Sequence, residues 1–200
     1  AGALPSPGTL RVLDFGAGPG TACAGLAALL PELLARHTEE LHIEITAMDA
    51  VGANLNLYRE VAAETARLSG CRISVETAIA DVGAAPATGK EYDLVLAMNV
   101  LNELPAARRS RFMDWCSGQL RDQGHLLLIE PALRETSRDL LLLRDEAISS
   151  GWTVFSPCLR QSVCPALDKA TDWCHDDVPW QRPAFMEILD EGMGNIKKSL

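Results

Sequence analysis

The sequence predicts an α/β domain built on a doubly wound, mainly parallel sheet. Strand-like runs alternate with segments of helical spacing along most of the chain, and the first run ends in a glycine cluster. A length of 200 residues with 48% hydrophobic and 22% charged residues suits one such domain with a sizeable core.

Leu10–Phe15 is a short apolar run, and Thr21–Arg36 follows with Ala and Leu at helical spacing. His42–Met48 alternates and closes at Asp49, after which Asn54–Leu68 sets Leu55, Tyr58, Val61, Ala62 and Ala66 on one helical face. Arg72–Ile79 alternates again and closes at Asp81, and Gly83–Gly89 has the small-residue chemistry of a loop. Tyr92–Val100 is almost continuously apolar, as a strand covered on both faces must be. A helix from Ala106 to Leu120 and a fifth strand at His125–Ile129, stopped by Glu130-Pro131, come next. Leu133–Ser149 reads as another crossover helix and Trp152–Phe155 as a sixth strand. Beyond Pro157 the prolines multiply, so an insertion with little regular structure is expected there. The corresponding division is a ligand-binding domain over 1–156 and a cysteine-rich extension of it over 157–200.

Composition narrows the partners. A net charge of −9 argues against a broad surface for nucleic acid, DNA included, or for anionic membrane, because phosphate neutralisation requires clustered Lys and Arg; a local basic patch is compatible with it. The longest apolar candidates, Leu126–Ile129 and Leu140–Leu143, fall far short of the roughly 18 residues of a membrane span. The start at Ala1 lacks a basic-then-apolar leader, and the end after Lys197-Lys198-Ser199-Leu200 is abrupt, so a piece of a longer chain is expected. Cys23, Cys71 and Cys116 lie apart within apolar patterns, as buried thiols of a reducing compartment do.

Gly16-Ala17-Gly18-Pro19-Gly20 sits where open α/β sheets bind ligands, beyond the carboxyl end of a strand and at the opening of a helix. Its G-x-G-x-G spacing is neither the G-x-G-x-x-G of a dinucleotide fold nor a P-loop. Asp49 ends the second strand, where a carboxylate accepts from both hydroxyls of a ribose, and Asp81 ends the third, beside the place of an adenine amino group. Taken singly, each aspartate also fits a solvated strand end or a helix cap.

The run Val12–Gly20 with Asp49 and Asp81 resembles the first motifs of class I S-adenosylmethionine-dependent methyltransferases over about residues 10–155. The resemblance implies that Asp14, Gly16, Ala17, Gly18 and Gly20 lie against the methionine part, Asp49 on the ribose, Asp81 beside the adenine, and Asn99 with Val100 toward the methyl group. Methyl transfer is an in-line displacement in which positioning does most of the work, so no catalytic residue need announce itself. Ala97–Pro105 lacks the Asp/Asn-Pro-Pro-Tyr/Phe pattern of base amino methylation and lacks a Pro-Cys pair. Glu103 fits a general base, and better an acid favoured at a helix start by the macrodipole and by Pro105.

Cys158, Cys164 and Cys174 crowd into 17 residues of a Pro-rich segment. Thiolates so placed can converge on one soft metal, with zinc and His175 as one solution and unrelated thiols as the bland alternative. The order Leu101-Asn102-Glu103-Leu104, Ile129-Glu130-Pro131, Cys158, Cys164-Pro165 and Asp172-Trp173-Cys174-His175 resembles the ribosomal small-subunit methyltransferase-like family of bacteria and mitochondria. That resemblance implies S-adenosylmethionine as cofactor and the small ribosomal subunit and its rRNA as partner. It further implies a [4Fe–4S] cluster on Cys158, Cys164 and Cys174, with zinc as the alternative, in the bacterial cytoplasm or, alternatively, the mitochondrial matrix. Three functions follow as expectations: a methyltransferase of the subunit, an assembly factor that keeps the pocket without transferring methyl, and a small-molecule methyltransferase with structural zinc. Arg108, Arg109 and Arg111, with Trp173 and Trp180, are the local features suited to RNA, and equally to a solvated helix face and core anchors.

Overall fold

Hydrophobic alternation is resolved into a five-stranded, all-parallel sheet in the order β3-β2-β1-β4-β5. The computed structural model describes residues 8–34, 42–81, 85, 87–176 and 184–192. In chain order the sheet-bearing elements are β1 (Thr9–Phe15), α1 (Thr21–Leu34), β2 (His42–Asp49), α2 (Gly52–Ser69), β3 (Arg72–Ile79), β4 (Tyr92–Met98), a 3-10 turn at Leu101–Glu103, α3 (Ala106–Ser117) and β5 (Leu120–Ile129). These form one compact unit that ends at Glu130, and a second begins at Pro131.

Register sorts the side chains of the first unit. Leu10 and Val12 pair with Ile43 and Ile45, and the row they form packs against Ala22, Cys23, Ala27 and Leu30 of α1 and Leu55, Tyr58 and Ala62 of α2. The alternate positions of β1 face the other way, where Phe15 meets Phe112 and Trp115 of α3 with ring centroids 5.6 and 4.8 Å apart. Further out on that second face, Arg11, Glu44, Ser74, Glu76 and Lys90 line a polar depression whose charges are paired internally, Arg11 with Glu44 at 3.3 Å and Lys90 with Glu76 at 2.7 Å.

Two boundaries differ from the sequence reading by three residues or more. Helix α3 stops at Ser117, where Gly118 N–H still reaches Asp114 O, and β5 starts five residues earlier than His125, at Leu120. The pairing jumps from Tyr92–Leu120 to Leu94–His125, and this irregularity, with Gln123 in the left-handed region, breaks the alternation that marks a strand.

The second unit opens with α4 (Arg134–Ser149), followed by a 3-10 turn at Pro165–Leu167 and α5 (Ala184–Gly192). Trp152–Phe155 is not a sixth strand: both main-chain groups of Val154 are satisfied by one side chain, its N–H donating to Gln161 Oε1 at 3.0 Å and its carbonyl accepting from Gln161 Nε2 at 2.7 Å. The Pro-rich stretch is anchored to α4 by guanidinium groups. Arg138 donates to the carbonyls of Ala166, Lys169 and Asp172 at 3.2, 2.8 and 2.6 Å, and Arg144 donates to Ser162 O at 2.6 Å and to Arg160 O. Asp145 accepts from Cys164 N–H at 2.9 Å. Trp180 lies outside the described residues.

Replacing Arg138 by Ala removes three carbonyl partners at once. We expect amide exchange across residues 165–172 to accelerate by about tenfold or more, equivalent to roughly 1–3 kcal/mol of local stability, while exchange in β1–β5 is unchanged.

Candidate functional site

The site is built at the carboxyl ends of β1, β2 and β4, where the strand order turns from β1 outward in two directions. Gly16, Gly18 and Gly20 have φ of 66°, 52° and 99°, the region that L side chains avoid, which is why the turn is written in alternate glycines. Ala17, between them, is buried and donates its N–H to Met48 O at 2.9 Å, fixing the loop across to β2. A Cβ on Gly16 would stand 2.5 Å from Val100 Cγ2, so this loop and the segment after β4 are in direct contact. A Cβ on Gly18 would meet nothing within 4 Å, so the middle of the loop borders open space.

Asp49 is buried at the end of β2 and organises what surrounds it. Its Oδ2 accepts from Gly18 N–H at 2.8 Å, and its Oδ1 accepts from Val51 N–H at 2.8 Å and Asn54 Nδ2 at 3.2 Å. A carboxylate has about four acceptor sites. Three are used here, which leaves one, on Oδ2, for a ligand hydroxyl rather than the pair suggested by sequence. Asn54 was not singled out as a site residue; its signal is an amide in the first turn of the helix that follows the aspartate. The main chain of Asp49 also accepts Ala80 N–H at 3.1 Å, which places the end of β3, and the exposed Asp81 after it, next to the end of β2.

Asp14 takes a different position from the rest of the set. It is 1% exposed, beneath the loop, and accepts a hydrogen bond from Tyr58 Oη at 3.0 Å. Burial pushes its pKa up to about 7 against the opposing pull of that hydrogen bond, with the nearby Asp49 charge adding to the rise. Tyr58 also contacts Cys23, whose thiol is pushed up to about 11 by burial, so three titratable groups share one dry pocket under the glycine turn.

After β4 the chain turns through Asn99, exposed and left-handed at φ 59°. Its N–H donates to Ile129 O at 2.8 Å, and the next three N–H groups reach Glu130, which the sequence marks as a strand terminator and as part of the Ile129-Glu130-Pro131 run but not as a site residue. Glu103 is exposed on the 3-10 turn, two residues before Pro105, which caps α3. Of the arginine trio, Arg108 and Arg111 are exposed, whereas Arg109 is half-buried and donates to Leu101 O at 3.3 Å.

The cysteine segment corrects an expectation. Among the described residues no three His, Cys, Asp or Glu side chains are grouped to hold a metal ion, so Cys158, Cys164 and Cys174 do not share a centre and His175 completes none. Each thiol has its own surroundings. Cys158 Sγ accepts from Arg144 at 3.3 Å and its pKa is lowered, first by its contact with the Arg160 main chain; Cys164 is buried; and Cys174 is exposed. Arg138 and Arg144 tie this segment to α4 through its carbonyl groups. Among the described residues, therefore, this donor arrangement gives no support to an iron–sulfur cluster or zinc.

The raised Asp14 pKa fixes a pH dependence. Folding holds the proton more tightly than the unfolded chain does, so stability falls as pH rises from about 4 to about 7 and the full cost, on the order of 4 kcal/mol, is present above that. Asp14→Asn keeps the Tyr58 hydrogen bond without the charge. Urea unfolding across this range should show the variant gaining about 2–4 kcal/mol over wild type by pH 8 and nearly nothing at pH 4.

The sequence matches the family described as mitochondrial small ribosomal subunit Rsm22 over residues 3–196. No curated protein matches it in sequence. Among solved structures it is similar to an S-adenosylmethionine-dependent methyltransferase of Methanosarcina mazei, with 18% identity over 59% of this chain and 50% of that one and a TM-score of 0.43. It is also similar to phosphoethanolamine N-methyltransferase 1 of Haemonchus contortus, with 23% identity, 64% and 23% coverage and a TM-score of 0.45. A Leishmania major S-adenosylmethionine-dependent methyltransferase shows 23% identity, 63% and 44% coverage and a TM-score of 0.42. The chain spans half or less of the length of these three proteins. With nearly its whole length matched, the chain belongs to the Rsm22 family of the mitochondrial small ribosomal subunit.

Proposed function

We propose that this chain binds S-adenosylmethionine across the Gly16–Gly20 turn and Asp49, and works on the small ribosomal subunit as a methyltransferase of its rRNA. The observation that carries the reading is the bond from Gly18 N–H to Asp49 Oδ2. It holds a glycine turn open to solvent beside a carboxylate with one acceptor site left, the arrangement an adenosyl ligand uses: backbone approach on one side and a ribose hydroxyl on the other. When bound, the cofactor supplies a methyl group on a sulfonium. The chain's own contribution is to orient: Asp49 accepts from the ribose, the glycine turn lies along the linear part, and Asn99, held out at the end of β4, faces the reacting end.

A second reading, an assembly factor that retains the pocket without transferring methyl, is favoured by the Ala97–Pro105 segment. Its amide groups at 99–102 are spent on the end of β5 and it lacks the motif of base methylation. Subunit association is the common ground of both, and the family's description as mitochondrial agrees with the mitochondrial alternative for its compartment. Among the described residues no helix is long and apolar enough to cross a membrane. Docking to rRNA is assigned to Arg108 and Arg111, which are exposed on α3.

Titration calorimetry with S-adenosylhomocysteine tests the pocket. Asp49→Ala removes the ligand's acceptor and frees Gly18 N–H, so affinity should fall about tenfold or more; equal affinity in the two proteins removes the assignment. Cosedimentation with small ribosomal subunits tests the partner. Changing Arg108 and Arg111 to Glu should weaken it severalfold, with a shallower salt dependence, and unchanged binding refutes the α3 surface. Transfer of labelled methyl into rRNA of the bound subunit separates methyltransferase from assembly factor.

A further inference from the structure

We propose that Glu130 is a positioning residue for the ligand, acting through the loop after β4; this rests on the adenosyl-ligand reading above. Four consecutive main-chain N–H groups, from Asn99 to Asn102, point at the end of β5. Asn99 donates to Ile129 O at 2.8 Å, Val100 and Leu101 to Glu130 Oε1 at 2.9 and 2.7 Å, and Asn102 to Glu130 Oε2 at 3.3 Å. A carboxylate accepting three backbone donors is a strong, charge-assisted clamp. The loop it holds begins at Asn99 in the left-handed region, a conformation asparagine tolerates better than most residues but which its neighbours must still fix, and continues into the 3-10 turn at Leu101–Glu103.

The clamp has a direct line to the glycine turn. Val100 is 3% exposed and its Cγ2 occupies the space a Gly16 Cβ would need, so the position of Val100 sets how closely the β4 loop lies on the turn. On the Gly18–Asp49 side the partners are those of Asp49, namely Gly18, Val51 and Asn54. The two halves of the site are thus held by two different carboxylates. Asp49 shapes the ribose side, and Glu130, through Val100 against Gly16, shapes the side where the methionine-derived part of the ligand with its reacting end would lie. Pro131 follows directly and limits the main-chain freedom of the clamp residue.

Because adenosine carries only the ribose and base, the two ligands separate this role from a general structural one. Calorimetry with adenosine and with S-adenosylhomocysteine on wild type, Glu130→Ala and Glu130→Gln is the test, with amide exchange at residues 100–102 measured in parallel. In Glu130→Ala the homocysteine ligand should lose about tenfold or more while adenosine changes by less than about twofold, and exchange at 100–102 should accelerate. Glu130→Gln, whose carbonyl still accepts from Val100 and Leu101, should recover to within about threefold of wild type. Equal losses for both ligands, or unchanged homocysteine affinity and exchange in Glu130→Ala, overturn the role. A wild-type chain that binds neither ligand overturns the adenosyl reading, and this role with it.

Discussion

The carboxylate of Asp49 is the point on which the carboxyl end of the sheet depends. A parallel sheet delivers several loops to one edge, each with main-chain N–H groups that the strand ladders no longer satisfy. Asp49 takes one from the β1 turn and one from the start of α2, and its own carbonyl takes one from the end of β3. The loops after β1, β2 and β3 are thereby tied to one residue. Charge-assisted bonds to backbone donors are about twice as strong as neutral ones, and here they fix the one turn that has given up side-chain packing at alternate positions. Glycines make the turn sterically available; the aspartate makes it a single conformation.

The same device recurs across the switch point. Beyond β4, Glu130 collects three N–H groups as Asp49 collects two, so the strands on either side of the cleft end in loops clamped by acids from their neighbours, β2 in one direction and β5 in the other. A site assembled from backbone in this way needs few chemically active side chains. That agrees with a reaction in which alignment of donor and acceptor supplies most of the rate, and it explains why Ala97–Pro105 displays no acid–base pair.

What was legible in the sequence was whatever depends on local pattern. The alternation at His42–Met48 and Arg72–Ile79 and the glycine turn lie where they were read, and the apolar run from Tyr92 forms β4, which ends at Met98 rather than Val100. What was not legible depends on the identity of a distant partner. Val154 sits in a strand-like string, but an amide side chain from Gln161 takes both of its main-chain groups, and no local pattern distinguishes that from a neighbouring strand. The irregularity at residues 121–124 concealed the start of β5 for a similar reason. In the cysteine segment the crowded thiols draw the eye, whereas the bonds that hold the Pro-rich stretch come from guanidinium groups. An arginine fork satisfies several carbonyl oxygens as well as a metal satisfies several thiolates, and Arg138 and Arg144 were hidden as ordinary polar positions of α4.

Asp14 shows how the site and the stability of the domain pull against each other. A leucine there would continue the apolar row of Leu10 and Val12 and remove the cost of a dry carboxylate. The acid is retained with a partner chosen to suit it. Tyr58 packs its ring against Gly20, where a Cβ would come within 3.3 Å of Cδ2, and presents its hydroxyl to Asp14 from the same position. Phenylalanine would preserve the packing and strand the carboxylate; a smaller polar residue would preserve the bond and open a void beneath the turn. The pair therefore links α2 to the end of β1 directly under the loop that Asp49 holds from the side. The turn is fixed on two sides by acids whose charges repel each other.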